Sequence, residues 1–483
     1  MRPCVDAMSV YAKLTDLSAE QCKQMAAKCF LFIENKAIDL YQRTIQDTHA
    51  IVPFNVYYTV MGVRPNKSAT FPSIQTRFTG TLLEHQVRLK TEAIQRLNEQ
   101  GSAFLKLHCG AGKTCISIYI ATKVRLKTLI IVHRVVLMKQ WAESIAAFTD
   151  CKTKVVIIKA NDPIPTDAEF YIINVVNVFK RSNVDFMPFG FVIFDECHIM
   201  GSPKAMFAFR SFSPKYMLGL SATPYREDGM HAVTERYLGS AYIEKQMQHP
   251  HVVFRVAYKP PVNYGSEEYV TKAGKLNWTK IINHQAMDEV RNRLILRIVA
   301  EHPTRHFLVL CKRVEQCHFL CESLKQLQVS CDVFTGSSKT LDYQARVLVS
   351  TYNKSGVGFD HPNLDALIIA TDVKAMIEQY HGRIFRRKDC KPILFDIVDD
   401  FGPFHVHYAM RRKYYLQTGA VIRRYAAPTD DEPDDDPEPE LDDEVVHERL
   451  LGAFPMLGTD DETEEEDEDE EPDGGRIGVP DFG

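Results

Sequence analysis

The run LHCGAGKT, residues 107 to 114, packs two glycines, a lysine and a hydroxyl side chain into one short turn. That combination suits a phosphate. Backbone N–H groups of Cys109, Gly110, Ala111 and Gly112 could approach anionic oxygens, Lys113 could meet the β and γ phosphates of a nucleotide, and the Thr114 hydroxyl could take Mg²⁺. The pattern GxxxxGK[ST] is incomplete, because Leu107 stands where its first glycine belongs, and a GxGKT string also occurs in ordinary glycine turns. A partner motif is therefore needed. The stretch FVIFDECHIM provides one, since an apolar strand ending in Asp195 and Glu196 would place two carboxylates at the carboxyl edge of a parallel sheet, where such folds bind ligands. Asp195 would hold Mg²⁺ and Glu196 would polarise the water that attacks a γ phosphate.

These groups need a scaffold, and the chain predicts one. From Phe104 onward, short β-rich apolar runs (AFLKL, TLIIV, KVVII, FYIINVV, FVIFD, YMLGL) alternate with amphipathic stretches, and a second series (HFLVLC, CDVFTG, RVLVST, LDALIIAT, KPILFDIVD) repeats the design. Such alternation predicts βαβ units around buried parallel sheets. The expected organisation is an accessory region over 1–75, a nucleotide-binding α/β domain over 76–240, a linker or insertion over 241–285, a second α/β domain over 286–427 and an acidic tail over 428–483. In the accessory region, LSAEQCKQMAAKCFLFIENKAIDLYQ reads as a helix and VPFNVYYTVMGVRP as a strand.

Charge is divided unevenly. Residues 428–483 hold 25 Asp and Glu against Arg449 and Arg476, a net of −23 that leaves +18 on the rest of a chain whose total is −5. A basic body suits a polyanion, because Lys and Arg that neutralise phosphates release condensed counterions. The tail is too polar to bury a core and is expected to be disordered, with RLLGAFPMLG as a short docking segment between its acidic blocks. It could bind basic partners or compete with nucleic acid for the body.

No apolar run reaches the length of a bilayer span and no cleavable signal opens the chain, so a soluble intracellular protein without a membrane partner is expected. Its twelve cysteines form no CxxC pair and are expected to be reduced. Cys311, Cys317, Cys321 and Cys331 cluster, but without the usual zinc spacing, and read equally as small buried apolar groups.

Further motifs resemble one family. DECH (195–198) fits the DExH box of superfamily 2 helicases, SAT (221–223) their coupling motif and QYHGRIFR (379–386) their motif VI. The leucine-led phosphate loop, with GLSATPYREDG and its Arg226, Glu227 and Asp228, is similar to the XPB-like branch. The short helical start and acidic tail resemble the transcription-associated helicases of large nucleocytoplasmic DNA viruses. These resemblances span about residues 80 to 400. They imply two tandem RecA-like domains, ATP and Mg²⁺ as cofactors, and 3′→5′ movement on DNA in transcription, replication or repair. A nuclear, cytoplasmic, virus-factory or virion location would follow, with transcription or replication machinery as partners.

The resemblance also implies residue roles. Gln86 would read adenine; His198, Ser221 and Thr223 would sense nucleotide state; Gln379, Arg383 and Arg386 would act on the developing γ phosphate charge. His133 and Arg134 (motif Ia), Lys312 and Arg313 (motif IV), Thr351 (motif V) and Arg226 would contact nucleic acid, while Gly358 and Asp360 would meet the nucleotide. Two departures stand out: His108 replaces a usual proline, and motif Ib is weakly matched by INVVNVF. An RNA helicase or remodeller with the same engine, and an ATP-gated clamp without catalysis, remain alternatives.

Overall fold

The computed structural model describes residues 9–425 except 34–35, 44–47, 65–69, 109, 151–154, 202–207, 210, 227, 246–248, 337, 339, 357–360, 375–376, 386 and 388–389. The expected acidic tail, with its RLLGAFPMLG segment, lies outside the described residues. The chain divides into two units, Met1–Met247 and Gln248–Gly483.

The first unit opens with β1 (Ser9–Lys13), α1 (Ala19–Cys29), β2 (Phe30–Ile33), β3 (Lys36–Asp39), β4 (Gln42–Arg43), β5 (His49–Pro53) and α2 (Phe54–Met61). Strands β1, β5 and β4 form an antiparallel sheet, and β2 pairs with β3. Helix α1 starts at a capping box, in which the Ser18 hydroxyl accepts from Gln21 N while Ser18 N donates to the Gln21 side chain. The expected long helix stops at Cys29. Its continuation, Phe-Leu-Phe-Ile, is β-prone and turns Leu31 inward with Phe30 and Phe32 outward, a period of two that a helix cannot give. The expected strand at Phe54–Met61 is instead a helix, entered through Pro53 and closed by Gly62 at φ 69°.

Next come α3 (Glu84–Gln100), β6 (Ser102–Leu107), α4 (Lys113–Val124), β7 (Thr128–Val132), α5 (Val135–Phe148), β8 (Val156–Ile158), β9 (Phe170–Asn174), α6 (Val175–Val178), β10 (Phe191–Phe194), β11 (Tyr216–Ser221), α7 (His231–Leu238) and β12 (Ile243–Lys245). Seven strands make one parallel sheet in the order β12-β6-β11-β10-β7-β9-β8. Strands β7, β9 and β10 are buried at every position, which is why they read as unbroken apolar runs. Met25, Cys29, Leu31 and Phe54 of the amino-terminal layer share a core with Phe104, Phe194 and Tyr237.

The second unit contains β13 (His251–Tyr258), α8 (Trp278–Met287), α9 (Glu289–Glu301), β14 (Phe307–Cys311), α10 (Val314–Gln326), β15 (Cys331–Phe334), β16 (Val347–Thr351), α11 (Tyr352–Gly356), β17 (Ala366–Ile369), α12 (Ile377–His381), β18 (Ile393–Asp399), α13 (Gly402–Gln417) and β19 (Ala420–Arg424). Its seven parallel strands run β15-β16-β14-β17-β18-β13-β19. The four clustered cysteines are buried in this core, and among the described residues no group of three or more His, Cys, Asp or Glu could hold a metal ion.

Both units thus have the α/β layout of a RecA-like domain. The stretch 241–285 departs from the expected linker: it supplies edge strand β12 to the first sheet, β13 to the second sheet and helix α8. Pro260, Pro261, Gly265 and Gly274 mark turns only after Tyr258, and the HVVFRVAY run before them is a strand placed between β18 and β19. Among the described residues no helix is long and apolar enough to cross a membrane.

Candidate active site

The loop between β6 and α4 turns through Gly110 at φ 86° and Gly112 at φ 81°, left-handed conformations that glycine adopts without a Cβ penalty. A Cβ on Gly112 would lie 2.1 Å from Gln86 Nε2. Gln86, only 3% exposed, donates from Nε2 to the Ala111 carbonyl at 3.2 Å and accepts at Oε1 from Leu83 N at 2.8 Å. Its amide therefore ties the loop to the start of α3, and one donor and one acceptor of the expected adenine reader are engaged within the protein. Among the described residues, no side chain caps the start of α4.

Opposite the loop, the two acids follow directly on β10. Lys113 Nζ lies 2.7 Å from Glu196 Oε1. Glu196 takes φ 47°, the left-handed region that non-glycine residues enter at a cost. Asp195 is 8% exposed; its Oδ2 accepts from Trp141 Nε1 at 2.8 Å and its Oδ1 from Glu196 N at 3.1 Å. Burial, reinforced by the Glu196 charge, pushes the Asp195 carboxyl up to about 6 against the pull of Lys113 and Trp141. Burial also works to raise Glu196, but the Lys113 ammonium, aided by His198 and His133, outweighs it and holds that carboxyl down at about 2. One acid is thus harder to ionise and its neighbour easier.

His198, Ser221 and Thr223, the expected coupling residues, form a connected row. His198 Nδ1 lies 2.8 Å from Ser221 Oγ and 3.4 Å from Glu196 Oε2, and Ser221 Oγ accepts from Thr223 N at 3.1 Å. Burial lowers the His198 pKa and favours a neutral ring. Arg226 pairs with Asp228, with Nε 3.0 Å from Oδ1, and its Nη1 lies 3.4 Å from the His198 carbonyl.

At His133, expected on a nucleic-acid face, both ring nitrogens are buried and lack a hydrogen-bond partner among the described residues. Burial drives its pKa down to about 4. Arg134 remains at the start of α5, half-buried at its cap position. In the second unit, Lys312 and Arg313 occupy the β14–α10 turn; Arg313 Nε donates to Asn283 Oδ1 at 2.5 Å, and Lys312 N donates to Thr371 Oγ1 at 3.2 Å. Thr351 closes β16 and its carbonyl accepts from Ser355 Oγ at 2.9 Å. Arg383 lies in the 3-10 turn Gly382–Ile384 with its side chain buried. Cys109, Glu227, Gly358, Asp360 and Arg386 lie outside the described residues, as does the side chain of Gln379 on α12.

Two residues in the first unit were not singled out from sequence. Trp141 holds Asp195, and Asn174 donates from Nδ2 to the His133 carbonyl at 3.2 Å. An indole on the buried face of an amphipathic helix carries a polar donor, which was the available signal.

The donor set suits a magnesium nucleotide. Thr114 and Asp195 offer the hard oxygens that Mg²⁺ prefers, and such ions commonly take only one or two carboxylates besides phosphates and water. The Lys113–Glu196 pair places a cation at the loop beside a carboxylate.

Residues 79–226 match the family described as Type III restriction enzyme, res subunit. The chain is 34% identical over 448 residues to a protein named helicase 161L of Invertebrate iridescent virus 6, covering 86% of this chain and 100% of that one. It is 30% identical over 379 residues to one named ATP-dependent RNA helicase L396 of Acanthamoeba polyphaga mimivirus, covering 74% of this chain and 71% of that one. Against helicase 055L of Frog virus 3 (isolate Goorha), identity is 29% over 381 residues, covering 78% of this chain and 86% of that one. With one relative matched over its whole length, the chain belongs to this family of viral helicases and is an ATP-hydrolysing helicase of superfamily 2.

Proposed function

We propose that the chain is a 3′→5′ helicase or translocase acting on duplex DNA, of the XPB-like DExH branch, in transcription, replication or repair. The observation that carries the chemistry is the 2.7 Å Lys113–Glu196 pair beside Asp195 at the carboxyl edge of the first sheet. The proposed site uses Gly110, Ala111, Gly112 and Lys113 for the phosphates, with Thr114 and Asp195 as the protein's oxygens for Mg²⁺. When bound, Mg²⁺ would withdraw charge from the β and γ phosphate oxygens.

Lys113 cannot serve Glu196 and a γ phosphate equally. As the ammonium turns to the incoming phosphate, Glu196 loses its closest positive partner and becomes a stronger base for the attacking water. Phosphate capture therefore switches on the acid that polarises the nucleophile. His198 would report the change to Ser221 and Thr223 through the row of hydrogen bonds that joins them. Arg383 and Arg386 are the proposed partners of the charge that develops on the departing phosphate. Arg134, Lys312, Arg313, Thr351 and Arg226 are the proposed strand contacts, mainly to backbone phosphate and sugar.

A second reading has a specific observation behind it: the mimivirus relative is named an RNA helicase. The test compares ATPase rates with duplex DNA, single-stranded DNA and RNA side by side. Stimulation by duplex DNA is expected. Stimulation by RNA alone would replace the DNA reading with the RNA one.

A further inference from the structure

Among the described residues, the indole of Trp141 is a neutral side-chain donor to Asp195. Trp141 is 2% exposed and lies on the buried face of α5 with Leu137, Met138 and Ile145. Its Nε1 reaches across to Asp195 Oδ2 at 2.8 Å, joining residues 54 apart in sequence. The supporting strands are neighbours in the sheet: β7 pairs with β10, and Asp195 N donates to the Ile131 carbonyl at 3.0 Å.

The start of α5 faces different chemistry. Arg134 is its cap residue and His133 precedes it, so the helix begins at the turn assigned to nucleic acid. Trp141 sits seven residues beyond Arg134, about 10 Å along the axis. Asn174 Nδ2 braces the same turn from the end of β9 through the His133 carbonyl. A displacement of that turn by a bound strand would therefore move a rigid helix whose indole is fastened to a buried carboxylate.

The geometry points to Trp141 as a positioning residue that orients Asp195 for the metal ion and couples its orientation to the nucleic-acid turn ahead of α5. The inference rests on the proposed assignment of Asp195 as the metal-binding carboxylate. A neutral N–H can fix one carboxylate oxygen without competing as a charge for the cation, leaving the anion available. Hydrogen bonds that orient ligating groups are worth about ten- to hundredfold in metal affinity or activity.

The decisive variant is Trp141→Phe, which retains an aromatic ring and removes the donor. Its expected effect is a rise of about tenfold or more in the Mg²⁺ concentration for half-maximal ATPase, with a smaller ratio of nucleic-acid-stimulated to unstimulated turnover. Leu137→Ala on the same buried face controls for packing, and it should lower thermal stability without moving the Mg²⁺ midpoint. Equal shifts in both variants would assign the effect to packing and overturn the inference.

A readout free of turnover uses the two tryptophans, Trp141 and Trp278. The indole N–H of Trp278 has no hydrogen-bond partner among the described residues. In nitrogen-15 spectra of the full chain, Asp195→Asn should shift the Trp141 indole resonance and leave that of Trp278 in place. An unmoved Trp141 resonance would mean that the bond does not form in solution, ending the proposal. If Asp195→Asn keeps Mg²⁺-dependent turnover, the metal assignment fails. If that variant is inactive while Trp141→Phe keeps both the wild-type midpoint and stimulation ratio, the metal assignment stands and the inference about Trp141 is overturned.

Discussion

Glu196 occupies a backbone conformation that side chains rarely adopt, and its carboxylate closes on Lys113. Strain of this kind persists where the surroundings over-determine it, often at functional sites. Glu196→Gln preserves the size of the side chain but removes the base, so turnover should fall by about a hundredfold or more while nucleotide still binds. Lys113→Ala acts differently: it removes the proposed cation for the phosphate and leaves buried Asp195 and half-buried Glu196 without that ammonium, so nucleotide affinity should fall together with turnover. Parallel equilibrium nucleotide binding and ATPase assays separate the two patterns; wild-type turnover in either variant would remove the proposed role. The approach of Lys113 to the strand-end acids was legible because glycine turns and strand-end acids leave local signatures. Trp141 was not, since its partner lies 54 residues away and an aromatic on an amphipathic helix first reads as core. The burial of the His133 ring nitrogens was not legible, because a place at a strand end says nothing about which way the ring turns.

At the scale of elements, helix α13 is pinned to the second sheet by buried charge. Arg411 donates from Nε and Nη2 to Asp396 at 2.9 and 2.8 Å, and from Nη1 to Asp372 at 2.9 Å, while Asp372 Oδ2 lies 2.5 Å from His407 Nδ1. Arg411→Met would leave two buried carboxylates without the guanidinium and should destabilise the protein by about 3–5 kcal/mol, measured by chemical denaturation. Loss below 1 kcal/mol would show that the carboxylates find other partners. Burial works to raise the Asp372 pKa, but the His407 and Arg411 charges prevail and hold it well below the ordinary carboxylate range. For a depressed carboxyl the stabilisation is fully present above the unfolded value of about 3.9 and is lost as pH falls through the folded value. Asp372→Asn should therefore flatten the acid limb of stability below about pH 4, and thermal melts across pH check it. The strands that carry these groups were legible because parallel strands covered on both faces are continuously apolar. The amino-terminal layer was less so: its short segments take their form from pairing and from packing on the first sheet, and periodicity over so few residues does not distinguish helix from strand.

Over the whole molecule, the largest asymmetry is electrostatic: residues 428–483 carry −23 and the remainder +18. The balance was readable from composition alone, because summed charge requires no knowledge of contacts. A polyanion that binds the basic body releases counterions, and an acidic segment of the same chain competes for that body at high effective concentration. Deleting residues 428–483 should therefore raise nucleic-acid affinity at low salt and steepen the dependence of affinity on salt. Each additional phosphate neutralised should change the double-logarithmic slope by about −0.9 on duplex DNA. Binding isotherms of the full and truncated chains across a salt series measure both quantities. The gain should shrink as salt rises, since screening weakens exposed charges separated by more than about 10 Å at 0.1 M. Equal affinities at low salt would reject competition by the tail, whereas a gain that persists unchanged at high salt would indicate an effect other than charge.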